Sequence, residues 1–213
     1  MSAGEKAYEF NVSIVIVNWK TPLLLARCLD SLKEDPQYDT FELIVVDNNS
    51  GDESVPMLKE KYPFVRLIEN KDNAGFSRGC NQAIEIARGR NVLLLNPDSV
   101  SVKDAVSTMF KYLDDHPEVG AVGPRVLNPD GSLQLACRRA FPSVQASFFR
   151  LTYLSKLFPN HPAVSRYNMT FADPDQFLDV DALSGSCMML RRQVIDKIGL
   201  LDEDIFMFGE DID

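Results

Sequence analysis

The sequence predicts an α/β domain with a mostly parallel central sheet and helices on both faces. Short apolar runs alternate with stretches of helical periodicity through the first half of the chain. Those runs are apolar throughout and do not alternate in polarity, as expected of parallel strands buried on both faces. With 213 residues, 45% hydrophobic and 25% charged, the chain is long enough for one large domain with a full core.

Val12–Val17 reads as the first strand, followed by Asn18-Trp19-Lys20. Thr21-Pro22 then opens a helix, with Thr as N-cap and Pro in the first turn. Leu25, Cys28, Leu29 and Leu32 repeat on its inner face. A second strand, Leu43–Val46, runs into Asp47-Asn48-Asn49-Ser50, and a helix follows over Ser54–Lys61. The third strand, Val65–Ile68, ends at Glu69-Asn70. A helix from Ser77 to Arg88 is expected to close on Gly89. The fourth strand, Val92–Leu95, meets Asn96-Pro97-Asp98.

Later periodicities are less regular. They predict a helix over Asp104–Asp115, a strand over Val119–Val122 and a hairpin over Arg125–Arg139 turning at Asn128-Pro129-Asp130-Gly131. One aromatic-rich helix is expected over Ser143–Phe158, one late strand over Asp181–Leu190, and a short helix over Gln193–Ile198 capped by Gly199.

The 22 Lys+Arg and 31 Asp+Glu give a net charge of -9, which excludes a general nucleic-acid binder because phosphate contacts need a basic face. One phosphorylated ligand can still be held by local amides, a metal or a few basic side chains. Cys28, Cys80, Cys137 and Cys187 form no C-x-x-C pair and read as reduced thiols. His116 and His161 read as surface residues. The N-terminus has no apolar run of leader length and no later run is long enough to span a bilayer, so a cytoplasmic address is expected.

Each of the first four strands ends in polar residues: Asn18, Asp47 with Asn48-Asn49, Glu69-Asn70 and Asn96-Pro97-Asp98. In a parallel sheet these share the carboxyl edge, where open α/β folds bind ligands. Asn-Pro-Asp occurs twice and supplies its own control. At 128–130 it is followed by Gly-Ser, which is turn chemistry. At 96–98 it follows the most apolar strand, where a carboxylate calls for compensation such as a cation bridging it to phosphates. Neither G-x-G-x-x-G nor G-x-x-x-x-G-K-[ST] is present, so phosphates are left to metal and side chains. Asp98 with waters and phosphate oxygens suits Mg2+ or Mn2+ better than zinc.

The chain ends on IFMFGEDID. Acidic tails usually signify only solubility, but Leu200, Leu201, Ile205, Phe206, Met207 and Phe208 beside these acids favour burial at a pocket wall. Trp19 reads as a packing residue.

Taken in order, SIVIVNWKTPLLLARCLDSL, LIVVDNNSGDES, ENKDNAGFSRGCNQAIEIARG, VLLLNPDS, LSGSCMMLRR and GLLDEDIFMFGEDID resemble the motifs of family 2 glycosyltransferases, in particular the rhamnosyltransferase-type branch. The resemblance spans nearly the whole chain from Val12. It implies a GT-A (nucleotide-diphospho-sugar transferase) fold, a nucleotide-sugar donor such as a dTDP- or UDP-sugar, a divalent metal, and inversion at the anomeric carbon. It also implies a saccharide or lipid-linked acceptor in cell-surface polysaccharide or glycolipid synthesis, and a location in the cytoplasm or at the inner face of the membrane. Asp47 matches the family's nucleobase-contacting aspartate, Asp98 the metal-associated end of D-x-D, and Asp211 the catalytic base of the E-D motif. From their positions in the chain, Asn18, Asn49 and Asn96 are expected on the donor side, and Asp181 and Glu210 on the acceptor or sugar side. Asn73, in Asn73-Ala74-Gly75-Phe76, fits either closure over the nucleotide or a plain turn into the next helix, and Arg78 either a diphosphate contact or a solvated first-turn arginine. Asn96 replaces the first aspartate of D-x-D, leaving one charge fewer for the metal.

Residues 1–213 thus read as a single GT-A domain, with 10–100 the nucleotide-binding half and 101–213 the acceptor-side half. Relatives continue beyond Asp213, so the chain is expected to be truncated and to bind donor better than it transfers sugar. Two alternatives stand beside transfer: a sugar-nucleotide-forming nucleotidyltransferase of related fold, and a non-catalytic binding module. The aromatic helix at 143–158 fits core or homo-oligomer packing, or a peripheral contact with a membrane.

Overall fold

The computed structural model describes residues 8–212. Residues 1–7, read above for the absence of a leader, and Asp213, the last of the terminal acids, lie outside the described residues. Two compact units are present. One takes in the chain up to Val122 together with Gly185–Glu210, and the other takes in Gly123–Ser184 and the chain end from Asp211.

The first unit contains strands β1 (Phe10–Asn18), β2 (Phe41–Asp47), β3 (Arg66–Glu69), β4 (Gly89–Leu95) and β5 (Ala121–Val122). In the second unit are β6 (Arg138–Arg139) and β7 (Ala182–Leu183), after which β8 (Cys187–Arg191) returns to the first. Strand order in the six-stranded sheet is β3-β2-β1-β4-β8-β5. β3, β2, β1 and β4 are parallel, and β8 is antiparallel to both β4 and β5. The mostly parallel sheet is therefore as the sequence predicts. The late strand is divided, because Ser184-Gly185-Ser186 separates β7 from β8.

Period-two alternation sends Val12, Ile14 and Ile16 of β1 to one face and Val15 and Val17 to the other. On the first face, α1 (Pro22–Leu32), α2 (Ser54–Lys61) and α4 (Ala105–Asp115) complete the main core through Leu25, Leu29, Leu58, Met109 and Leu113. α3 (Phe76–Ile86) lies against β1 and β2 on the other face, and α7 (Arg192–Ile198) lies against β4 and β8. At Gly79 a Cβ would meet Val17 Cγ1 at 2.9 Å, so glycine permits the close approach of α3 to β1. Gly89 does not close α3 as expected. It is the first residue of β4, where a Cβ would overlap Ser13 of β1.

In the second unit, Asn128–Gly131 makes the expected turn, with Gly131 at φ 82° and a bridge between Leu127 and Leu133. Arg138–Arg139, however, pairs with Ala182–Leu183, so the hairpin does not extend to residue 139. The expected single helix over 143–158 is two, α5 (Val144–Leu151) and α6 (Leu154–Leu157). They are broken at Tyr153, which takes a left-handed conformation (φ 59°) that no α-helix propagates.

At the amino edge of the sheet, the buried carboxylate of Glu42 on β2 gathers its neighbours. Ser13 Oγ donates to it at 2.6 Å, the Arg88 backbone N–H at 2.8 Å and Arg88 Nε at 2.9 Å, and Arg66 forms an ion pair with it. Burial pushes the Glu42 carboxyl up, but these hydrogen bonds together outweigh burial and hold it below its ordinary value. A depressed carboxyl contributes stability above the ordinary glutamate pKa, about 4.3, and loses it as pH falls through the lower folded value. Glu42→Gln is therefore expected to cost about 2–3 kcal/mol near neutral pH in denaturant titrations. The variant should also lose less stability than wild type on acidification below about pH 4.

Candidate functional site

The site begins with strand ends. Asn18 closes β1, Asp47 closes β2, and the two stand opposite in the parallel ladder, with Glu69 of β3 opposite Asp47 on the far side. β2 and β4 flank β1, so chain order reverses between β1 and β4, the switch point where such sheets open a crevice at their carboxyl edge.

Asp47 is 2% exposed. Its Oδ1 accepts from Asn18 Nδ2 at 2.9 Å and Ser50 Oγ at 2.6 Å, and its Oδ2 accepts from the Ser50 N–H at 2.9 Å. All these donors are neutral, and no ion pair with Asp47 occurs among the described residues. Its charge is thus solvated by hydrogen bonds alone, which is sustainable because a carboxylate is satisfied by oriented donors. Asn18 is buried and accepts from Thr21 Oγ1 at 2.7 Å, so the N-cap threonine uses its hydroxyl on the strand end and does not cap α1. Asn49 projects outward from this bonded turn, exposed and left-handed at φ 56°.

A second set of amides fixes the loop before α3. Asn48 Nδ2 donates to Gly75 O at 2.9 Å, and Asn70 Nδ2 donates to Asn48 Oδ1 at 2.8 Å. Asn73 Oδ1 accepts from the Gly75 N–H at 3.0 Å, an Asx turn leading into the helix. Arg78, in the first turn of α3, is exposed and its Nε lies 4.0 Å from Glu203 Oε2.

Beyond β4, the Asn96 N–H donates to Ser186 O at 2.9 Å, and Cys28 Sγ sits 3.7 Å from Asn96 O. Asp98 is exposed and makes no hydrogen bond or ion pair among the described residues. Asp130, in the other Asn-Pro-Asp, accepts from Ser132 Oγ at 2.6 Å and Ser132 N–H at 3.0 Å. Burial raises the Cys28 thiol to about 12, with further contributions from repulsion by a Cys187 thiolate, were it formed, and by the Asp98 carboxylate, and burial raises Cys187 likewise to about 12. Both remain uncharged at neutral pH, and all four cysteines are free.

No group of three or more His, Cys, Asp or Glu side chains suited to a metal occurs among the described residues. Asp98, with its carboxylate open, fits instead a cation that takes most of its oxygens from a bound ligand, as Mg2+ does in phosphate sites.

Asp181 and Asp211 belong to the second unit and Glu210 to the first. Asp211 is ion-paired with Arg139 of β6, both side chains largely buried, and Arg139 Nη2 also donates to Leu183 O at 3.1 Å. Asp181 is exposed and accepts from the Phe141 N–H at 3.1 Å. Glu210 adds its charge to the burial that raises the Cys80 thiol.

Two expectations are corrected. Phe206, Met207 and Phe208 are exposed, so they do not bury the terminal acids. The segment is held by polar contacts: Asn81 bonds both the carbonyl and the N–H of Leu201, at 2.8 and 3.0 Å, and Phe206 O accepts from the Phe76 N–H at 2.8 Å. Gly75 makes this possible, since a Cβ there would meet Phe206 O at 2.6 Å. Trp19, expected to pack, is 48% exposed with Lys20 Nζ 5.1 Å from its ring centre. Sequence reasoning also missed Ser50, Asn70 and Arg139 as partners of the site residues. Ser50 carried a signal, because an aspartate bonding the backbone N–H three residues on is the spacing of a helix N-cap.

A cleft of about 620 Å³ lies elsewhere, at the amino edge of the sheet between Glu9, Ile84, Arg88, Arg192 and Leu200. Arg192 there donates to the C-terminal carbonyls of α3, Ile84 O at 3.0 Å and Ala87 O at 2.9 Å, which makes that wall a helix cap.

Residues 13–199 match the family model of glycosyl transferase family 2. The chain belongs to glycosyl transferase family 2. It is 28% identical over 211 residues to the N-acetylglucosaminyl-diphospho-decaprenol L-rhamnosyltransferase of Mycobacterium tuberculosis, covering 94% of this chain and 67% of that one. Among solved structures it resembles a mannosyltransferase from Pyrobaculum calidifontis in complex with GDP-Man and Mn2+ (TM-score 0.64, 20% identity) and S. aureus TarS 1-349 in complex with UDP (TM-score 0.65, 18% identity). These matches cover 97% and 95% of this chain but 53% of each of the others, so the family 2 chain described here spans about half their length. The shared architecture is the GT-A fold.

Ser50→Ala is expected to destabilise this family 2 chain by about 2–3 kcal/mol in urea unfolding, since it deprives a buried carboxylate and the Lys20 N–H of a partner. Asn49→Gly, at an exposed left-handed position, should stay within about 0.5 kcal/mol of wild type.

Proposed function

We propose that this chain is the sugar-transfer domain of an inverting glycosyltransferase. It would take a hexosyl group from a dTDP- or UDP-sugar to a hydroxyl of a saccharide or lipid-linked acceptor in surface-glycan synthesis. One observation carries the donor half of the reading: at the switch-point edge a rigidly bonded Asp47 and Asp98, whose carboxylate has no partner among the described residues, follow parallel strands in one unit. The relatives support the class of ligand, since one is named for a diphospho-decaprenol-linked sugar and two solved neighbours hold nucleotide or nucleotide sugar.

On this reading residues 10–100 bind the nucleotide and 101–213 serve the acceptor. Asp47, pre-oriented by Asn18 and Ser50, receives N–H groups of the base, and Asn49 lies beside the ribose. Asn73 and Arg78 border the diphosphate, and Asn96 orients Asp98. Asp98 would hold Mg2+ or Mn2+, whose charge, when bound, offsets that growing on the departing diphosphate. The acceptor oxygen attacks the anomeric carbon on the face opposite the diphosphate, the bond to the leaving oxygen breaks with its electron pair, and the configuration inverts. Asp211 takes the hydroxyl proton as the new bond forms. Arg139 orients Asp211. Glu210 and Asp181 take the acceptor or sugar side.

Thermal shifts with UDP, dTDP and their sugars, with and without Mn2+, test the donor half, because a ligand of the folded state alone raises Tm by mass action. Asp98→Ala should abolish the Mn2+-dependent part of that shift, and Asp130→Ala, whose carboxylate is taken up by Ser132, should leave it intact. Equal effects of the two substitutions would remove Asp98 from the site. Asp211→Asn should reduce sugar transfer by at least about a hundredfold with nucleotide affinity unchanged. Nucleotide binding by a wild-type protein with no transfer to any hydroxyl acceptor would instead favour a binding module.

A further inference from the structure

The second unit carries a helix turned inside out. In α5, Val144, Phe148 and Leu151 stand at i, i+4 and i+7 and so form one stripe. Such a stripe ordinarily faces a core. Here it faces solvent: Val144 is 90% exposed, Leu151 80% and Phe148 55%, while Ala146 on the opposite side is buried. The apolar surface continues past the break at Tyr153 into α6, where Leu157 is 70% exposed and Phe158 54%.

Charge is segregated in the same stretch. Between Asp130 and Asp173 there is no aspartate or glutamate, but there are Arg138, Arg139, Arg150, Lys156, Arg166 and His161. Removing those five arginines and lysines from the chain's 22 leaves 17 basic against 31 acidic residues elsewhere. Arg138 and Arg139 are engaged inside the unit, with Ala172 O and Asp211 respectively. Arg150, Lys156, His161 and Arg166 are exposed in the same stretch as the apolar stripe, Arg150 over the Tyr167 ring at 5.3 Å and Lys156 over the Tyr153 ring at 5.1 Å. Of the acids that follow the stretch, Asp173 accepts from the Asp175 N–H at 2.9 Å, Asp175 is ion-paired with Arg125, and Asp181 accepts from the Phe141 N–H.

We propose that α5 and α6 are a docking surface for an anionic lipid bilayer, lying in the headgroup layer with Val144, Phe148, Leu151 and Leu157 inserted and the basic side chains on the phosphates. Exposed aliphatic and aromatic side chains flanked by Lys and Arg, with acids excluded, are what such an interface selects. A second copy docking through the same face by two-fold symmetry would set basic residues against basic residues, which like-charge repulsion opposes. This assignment stands on the second unit alone and does not depend on the sugar-transfer reading.

Co-sedimentation of the chain with vesicles tests it. Binding is expected to phosphatidylcholine vesicles carrying about one-third phosphatidylglycerol, to be at least about tenfold weaker on pure phosphatidylcholine, and to fall with added salt. Leu151→Ser and the pair Arg150→Glu with Lys156→Glu should each lower partitioning at least about tenfold with the melting temperature unchanged, since all three side chains are exposed. Equal partitioning to neutral and anionic vesicles, or variants that bind like wild type, would overturn the proposal. So would dimerisation abolished by Leu151→Ser with no vesicle binding, which would assign the face to a second copy.

Discussion

Strand β2 carries a buried acid at each end, and the sheet is organised around the pair. Glu42 at the amino end collects β1 through Ser13, β3 through Arg66 and the entry to β4 through Arg88. Asp47, at the carboxyl end, collects Asn18 of β1 and the turn at Ser50. A carboxylate in such a position is tolerable only if fully partnered. The two ends meet that demand differently. Glu42 has guanidinium groups and is closed as a structural joint. Asp47 has only neutral donors, so hydrogen bonds satisfy it while its negative charge remains at the edge where parallel strands open. That asymmetry separates the scaffold end of the sheet from its ligand end.

The same reasoning distinguishes the two Asn-Pro-Asp segments. Their sequences are identical over three residues, yet Asp130 is followed by Gly-Ser and folds back on Ser132, whereas Asp98 follows β4 and makes no hydrogen bond or ion pair among the described residues. A carboxylate with a local serine donor closes a turn. One without it, at the carboxyl edge of a sheet, is left for whatever binds there.

Much of this was legible in the sequence because it is local. Continuous apolar runs marked β1, β2 and β4 as parallel and doubly covered, and turn chemistry marked 128–131. What was not legible depends on distant partners. Gly89 reads as a helix end until Ser13 of β1 is known to press on it. Thr21 reads as a cap until Asn18 takes its hydroxyl. Asp211 carries no local mark of its tie to Arg139, 72 positions away, and the exposed run Phe206–Phe208 is anchored by Asn81 and Phe76 rather than by its own apolar side chains.

The aromatic helix shows where periodicity stops being informative. An i, i+4, i+7 stripe establishes that a helix has an apolar face, and says nothing of what that face meets. In α1 the stripe is Leu25, Leu29 and Leu32, all fully buried against the sheet. In α5 it is Val144, Phe148 and Leu151, and all three are exposed. Two further features separate them. α1 begins where β1 ends and leads on to β2, so chain connectivity lays its stripe on the sheet. α5 is followed by a left-handed residue at Tyr153 that stops the helix, and the stretch between Asp130 and Asp173 that holds it carries arginine and lysine but no acid. Burial in the core needs no such charge pattern; contact with an anionic surface does. The charge pattern around the stripe, more than the stripe itself, therefore indicates what the helix is built to meet.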